Sequence, residues 1–187
     1  MALKEKRGGI VHKRARILSS KMLYQGRVFG LRRDEVVEPT GVQTTREVIT
    51  HPGSVVVLPV LPDRRILLIR QYRHATRQFM WELVAGRIDE GEKSRHAAAR
   101  ELAEETGYRA KRLKLFLDVF PTPGFLEEEM FLFVAEGLTP GEPTPEDDEK
   151  ITAQAFTHAQ VETMIRRNTI RDAKSIAGIL YYLRFLG

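Results

Sequence analysis

Residues 86–108 read GRIDEGEKSRHAAARELAEETGY, and the fold and chemistry of the chain turn on this stretch. The run 93–106 predicts a helix, closed by Gly107, a residue suited to the left-handed cap. That helix violates its own local rules. Glu101, Glu104 and Glu105 crowd the final turns, where the helix dipole prefers Lys or Arg. Glu101 and Glu105 also stand four apart, a like-charge pair that costs about 0.2 to 0.5 kcal/mol on an isolated helix. Residues set against local stability tend to mark functional sites, and clustered carboxylate oxygens are what a hard cation such as Mg²⁺ requires. The glutamates are expected on an exposed helix face, each a charged ligand and not a packed side chain. A solvated acidic face would account for one Glu-Glu pair, but the flanking residues add constraints of their own.

Outward from this helix, apolar and turn signals alternate. Residues 79–85 predict a strand that runs into Gly86; before it, 54–61 and 66–72 are near-continuous apolar runs around a Pro62-Asp63-Arg64-Arg65 turn, together predicting a buried hairpin. Residues 15–50 predict a small antiparallel sheet, divided by turns at Gln25-Gly26 and Pro39-Thr40-Gly41 and closed by His51-Pro52-Gly53. After the helix come strands at 113–120, 130–135 and 151–156, then helices at 158–167 and 172–185. The Pro-, Gly- and acid-rich segment 137–150 predicts a loop. With 187 residues, 42% of them hydrophobic, one main core is expected, with 1–50 as a separate basic segment and small sheet and 51–187 as the main domain.

Composition removes several chemistries. Cysteine is absent, which excludes disulfides, thiolate zinc sites and a cysteine nucleophile, so any metal binds through oxygen or histidine. No stretch approaches the roughly 20 apolar residues that span a bilayer, and no apolar signal core follows the basic N-terminus, so a cytoplasmic protein is expected. The net charge of +5 is unevenly placed: residues 1–33 hold ten Lys/Arg and one acid (10 − 1 = +9), and the rest 20 Lys/Arg and 24 acids (20 − 24 = −4). With little aromatic interleaving in that basic front, nucleic acid is not the expected partner.

Gly86, Glu92, Arg100-Glu101-Leu102, Glu104-Glu105, Gly107 and Tyr108 stand at the spacing G-x5-E-x7-R-E-U-x-E-E-x-G-U, where U is bulky and apolar. This resembles the signature box of Nudix hydrolases; every fixed letter matches, and Tyr108 is an atypical choice for the last position. The resemblance implies an α/β fold, a Nudix α/β/α sandwich with a mixed sheet, here beside a small N-terminal antiparallel β-sheet region. It implies Mg²⁺ as cofactor, with Mn²⁺ as a substitute, held by Glu101, Glu105 and the carbonyl of Ala85. Glu104 would be a further ligand or an orienter, Arg100 would neutralise and position the glutamates, and Glu92 would support the loop through Arg100.

The box fixes the reaction class, hydrolysis of a diphosphate attached to some group, and leaves the group open. Arg46-Glu47, Gln71-Tyr72-Arg73, Trp81 to Gly86, Pro121-Thr122-Pro123-Gly124 and Ile170 to Ser175 resemble the ADP-ribose pyrophosphatase group. That likeness implies ADP-ribose or a related nucleoside diphosphate sugar as substrate, and a homodimer that exchanges its N-terminal sheets. Arg46 and Arg73 are the first candidates for substrate contact, because a planar guanidinium forks onto phosphate and stacks on adenine. Phe29 could offer a face to the base or pack in the core; Glu47 and Glu128 could accept bonds from adenine or ribose. The acidic run 146–149 stands where this group carries a carboxylate that activates water or completes the metal site, with Glu149 the first choice and Asp147 the second. The rival readings are a GDP-mannose or other nucleotide-sugar pyrophosphatase, and a Nudix-like regulator that binds ADP-ribose or nucleic acid without catalysis.

Overall fold

The strand β4 (Ser54–Pro59) is buried at every position, and its neighbours show why. Successive side chains of a strand point to opposite faces. Val55 and Val57 pack into one cluster with Ala97, Ala98 and Leu102 of helix α1 (Ser94–Thr106), whereas Val56 and Leu58 pack into another with Val161, Ile170, Ile179 and Tyr182 from the C-terminal helical region. Helices therefore cover both faces of the sheet, which is the sandwich the sequence implied. A strand covered on both sides needs no polar alternation, hence the continuous apolar run.

The computed structural model describes residues 14–144 and 150–187. They group into two compact units, one built from residues 14–51 with 124–126, the other from 52–123 with 127–144 and 150–187. In the first unit β1 (Arg16–Gln25), β2 (Gly30–Val37) and β3 (Gln43–Thr50) form an antiparallel sheet in the order β1-β2-β3, with turns where the sequence placed them. Its buried side chains are few: Val36 is the sole buried apolar one among the described residues of this unit, and buried Asp34 is held by Ser20 Oγ at 2.6 Å and Arg32 Nε at 3.0 Å.

The second unit holds β4, β5 (Ile66–Arg73), β6 (Gln78–Glu82), β7 (Val84–Arg87), α1, β8 (Arg109–Val119), β9 (Met130–Thr139), β10 (Thr152–Phe156), α2 (His158–Arg166) and α3 (Ala173–Phe185). One sheet runs β7-β4-β9-β8, with β4 and β9 parallel and the other pairs antiparallel; the second, antiparallel throughout, runs β10-β5-β6. The expected hairpin of 54–61 with 66–72 does not form. β4 and β5 join different sheets, and a single bridge, Val60 to Ile66, links them at the turn. Each is an inner strand of its own sheet, and runs apolar on both faces carry no information about their partner. The strand expected at 79–85 is likewise two. β6 ends at Glu82 and β7 starts at Val84 in the other sheet, and between them the Leu83 N–H donates to Ser175 Oγ at 2.7 Å.

The helices owe unequal debts to local sequence. α2 begins with a reciprocal capping box between Thr157 and Gln160, and α3 with Asp172 accepting from the Ser175 N–H at 3.0 Å. α1 has no side-chain cap, no acid in its first turn and no base in its last. Its stability comes from packing Ala97, Ala98 and Leu102 against the sheet, so removing Leu102 would cost about 2 to 5 kcal/mol.

Candidate active site

The centre of the site is the contact between the last turns of α1 and the Ala85-Gly86 segment of β7. A Cβ placed on Gly86 would lie 2.0 Å from the carboxylate of Glu101, so only glycine leaves room for that side chain. One turn on, a Glu105 carboxylate oxygen accepts from the Ala85 N–H at 3.3 Å. Glu101, Glu105 and Ala85, three of the expected metal ligands, are thus brought together; the fourth, Glu149, lies outside the described residues. Glu105 is not on an exposed face as expected. It is 5% exposed, tucked beneath β7, because its carboxylate takes a backbone donor there.

Arg100 organises the rest. Its Nη1 reaches Glu101 at 2.7 Å and Glu104 at 3.1 Å, its Nε and Nη2 reach Glu92 at 3.2 and 3.0 Å, and Nη2 also donates to the Arg87 carbonyl at 3.0 Å. Glu92 in turn accepts from the Asp89 N–H at 3.2 Å, closing the loop between β7 and α1. The Glu92 bonds, against the opposing effect of burial and with Glu101 and Glu104 adding to them, hold the Arg100 guanidinium far above its ordinary range, so it stays a cation. Arg100 holds the Glu92 carboxyl below its own. This one cation offsets the crowding of Glu101 and Glu104 that counted against the helix as a sequence.

At the helix end, Gly107 takes φ of 74° and its N–H bonds the Ala103 carbonyl. A Cβ there would also lie 2.3 Å from the Gly141 carbonyl oxygen, and the Thr144 N–H donates to the Glu104 carbonyl at 2.9 Å. Residue 144 is thereby held at the end of α1 that carries the glutamates. The candidate bases Asp147 and Glu149, with the rest of 146–149, lie outside the described residues.

The substrate candidates divide between the two units. In the first, Arg46 pairs with Glu38 at 2.7 Å and Glu47 with Arg33 at 2.7 Å, both exposed. Phe29 is exposed and lies tilted on Tyr24, ring centres 5.9 Å apart, so core packing is not its role. In the second, Glu128 accepts from Ser54 Oγ at 2.7 Å. Arg73 forks onto buried Glu82, Nε and Nη2 each at 2.9 Å, and Lys174 Nζ reaches the same carboxylate at 2.6 Å. Sequence reasoning gave Glu82 and Lys174 no role. The available signal was a charged residue inside each of two mainly apolar runs, FMWELVAG and AKSIAGIL.

Three glutamates, one backbone carbonyl and no sulfur make a hard-oxygen donor set suited to a divalent cation. No three acidic or histidine side chains among the described residues yet converge on one point, since Glu101 is turned onto Arg100 and Glu105 onto the Ala85 N–H.

Residues 50–178 match the NUDIX domain, and residues 16–49 match the nucleoside diphosphate sugar hydrolase N-terminal domain. The ADP-ribose pyrophosphatase of Mycobacterium tuberculosis is 36% identical over 166 residues, covering 87% of this chain and 80% of that protein. The methanol dehydrogenase activator of Bacillus methanolicus is 31% identical over 166 residues, covering 88% and 90%. A solved structure described as an ADP compounds hydrolase superposes with a TM-score of 0.81 over 93% of this chain and 95% of that one; at 23% identity it supports the fold.

Proposed function

The chain belongs to the Nudix family, and from that premise we propose that it hydrolyses the diphosphate of a nucleoside diphosphate sugar, ADP-ribose foremost, giving AMP and ribose 5-phosphate. The observation that carries the reading is the seating of Glu101 on Gly86 and of Glu105 on Ala85, which brings two carboxylates of α1 to one segment of β7. Mg²⁺, or Mn²⁺ in its place, would be held by Glu101, Glu105 and the Ala85 carbonyl, with Glu104 as a further ligand or orienter. The chemistry that such a cation supplies is neutralisation of phosphate oxygens and acidification of water. In hydrolysis water forms one P–O bond, the bridging P–O bond breaks, and the water proton passes to a base, for which Glu149 is the first assignment and Asp147 the second.

The chain's own contribution is placement. Arg100 keeps Glu101 and Glu104 facing the loop, and Arg46 and Arg73 supply guanidinium groups to the diphosphate or the base. The substrate assignment rests on the N-terminal match to nucleoside diphosphate sugar hydrolases and on the name of the M. tuberculosis relative. We extend the proposal to a homodimer. Every residue of β1 is exposed, Ile17, Met22 and Tyr24 among them, and a second copy would cover this face. No helix among the described residues is long and apolar enough to cross a membrane, and the cytoplasm is the proposed compartment.

A hydrolysis panel with Mg²⁺ tests the reading: ADP-ribose, GDP-mannose, ADP-glucose, NADH and diadenosine polyphosphates, with products resolved by chromatography. ADP-ribose is expected to give the highest kcat/KM. Preference for GDP-mannose would move the substrate within the class, and turnover of none of the sugars would end the proposal.

A further inference from the structure

A second charged cluster lies on the sheet β10-β5-β6, and its Arg73 is near enough to Glu105 of α1 to feel that carboxylate's charge. Glu82 is 1% exposed, yet two cations meet it: Arg73 through both Nε and Nη2, and Lys174 through Nζ. Lys174 also bridges Asp172 at 2.9 Å, and Asp172 caps α3. Each cation has a carboxylate of its own, Glu82 for Arg73 and Asp172 for Lys174, yet Lys174 also reaches Glu82 and so ties that carboxylate to α3. With Asp172 the cluster holds two charges of each sign, and Glu82 is pinned from the α3 side while it grips Arg73.

The grip has a direction. Ile69 packs in the cluster that contains α1, and side chains two and four residues on share its face, which places Arg73 on the α1 side of β5. With Nε and Nη2 both committed to Glu82, the guanidinium plane is fixed, and Nη1 has no hydrogen-bond partner among the described residues. The side chain of Arg73 remains 36% exposed. An arginine already held in one plane loses less freedom on meeting a planar anion than a free one does.

We infer that Glu82 and Lys174 are positioning residues, which hold the Arg73 guanidinium preformed as a receptor for a phosphate of the nucleoside diphosphate. The inference rests on the hydrolase reading above. It assigns α3 a task at the site from 92 residues away in sequence.

The test compares the full-length wild type with Arg73→Ala, the charge-balanced Glu82→Gln/Lys174→Met, and the triple variant. The balanced variant removes one charge of each sign, so the remaining Arg73 and Asp172 still cancel. KM and kcat are read with ADP-ribose and Mg²⁺, and the Kd of ADP-ribose by calorimetry without metal. Arg73→Ala is expected to raise KM and Kd about tenfold or more, and the balanced variant about fivefold with kcat held within about twofold. The triple variant should be no worse than Arg73→Ala, because the support acts only through that side chain. Unchanged KM and Kd in the balanced variant would overturn the inference, as would effects that multiply in the triple variant, which is what mere loosening of the fold gives. If Arg73→Ala changes neither constant, or no protein binds ADP-ribose, the inference falls. Coupled Kd values in a protein that turns over no nucleoside diphosphate sugar would instead sink the hydrolase reading and leave the positioning role standing.

Discussion

Helix α1 and the N-terminal sheet solve opposite problems. α1 carries the charges that should unravel it, without a cap at its start or a base at its end, and it stands because Ala97, Ala98 and Leu102 are buried and Arg100 ties three glutamates together. The sheet β1-β2-β3 has good strand pairing and little under it: β1 is exposed along its whole length, and Val36 is the sole buried apolar side chain among the described residues of that unit. A three-stranded sheet needs a hydrophobic face against something to be stable by itself. In α1 packing leaves local stability free to be given up for chemistry; in the sheet, strand pairing leaves apolar side chains such as Ile17, Met22 and Tyr24 exposed.

The largest effect that would break this comparison is at Gly86. In Gly86→Ala the atoms nearest the new methyl are at the end of the Glu101 side chain, which can swing away, and Gly86 has no left-handed φ to strain. Stability should change by less than about 1 kcal/mol while turnover falls by orders of magnitude, because an expected ligand has moved. Thermal melts and steady-state kinetics together check it. A destabilised but fully active enzyme would mean that the glycine serves packing alone.

A smaller effect is expected from the sheet. Arg46→Ala exchanges an exposed pair with Glu38 for nothing, so stability should hardly move, yet KM for ADP-ribose should rise about 3- to 10-fold if the arginine reaches the nucleotide. Mixing Arg46→Ala subunits with Glu105→Gln subunits sharpens the point. Recovered activity in hybrids would place Arg46 in the site of its dimer mate; none, with subunit exchange demonstrated, would leave a site built from one chain.

The smallest effect is on acid stability. Burial pushes the Glu82 carboxyl up, but the Arg73 fork and Lys174 outweigh it and hold it below its ordinary range. A carboxyl depressed in the fold stabilises it fully above the unfolded value of about 4.3, and that contribution is lost as pH falls toward the lower folded value. Melting temperatures from about pH 6 to about pH 3 should therefore fall less steeply in Glu82→Gln than in the wild type. Parallel curves would contradict the pairing.

What the sequence made legible follows from what kind of signal each feature leaves. The box helix, its glycine ends and the Arg100 cluster were readable because charged letters at fixed spacing state their own register. The turns around β1 to β3 were readable from Gly and Pro. The partners of β4 and β5 were not, since a strand buried on both faces has no polar side to orient it. The burial of Glu105 was hidden for a related reason: its partner is a backbone N–H, which no side-chain pattern reveals. The Glu82 to Lys174 bond joins residues too distant in the chain for spacing to suggest it.

The central claim is that the carboxylates seated on the Ala85-Gly86 segment of β7 carry the hydrolysis. It is met most directly by Mg²⁺-dependent turnover of ADP-ribose in wild type and Glu105→Gln, with circular dichroism confirming that both are folded. The account predicts AMP and ribose 5-phosphate from the wild type and a loss of about a thousandfold or more in kcat for the variant, at an intact far-ultraviolet spectrum. A folded Glu105→Gln enzyme with wild-type kcat would contradict it.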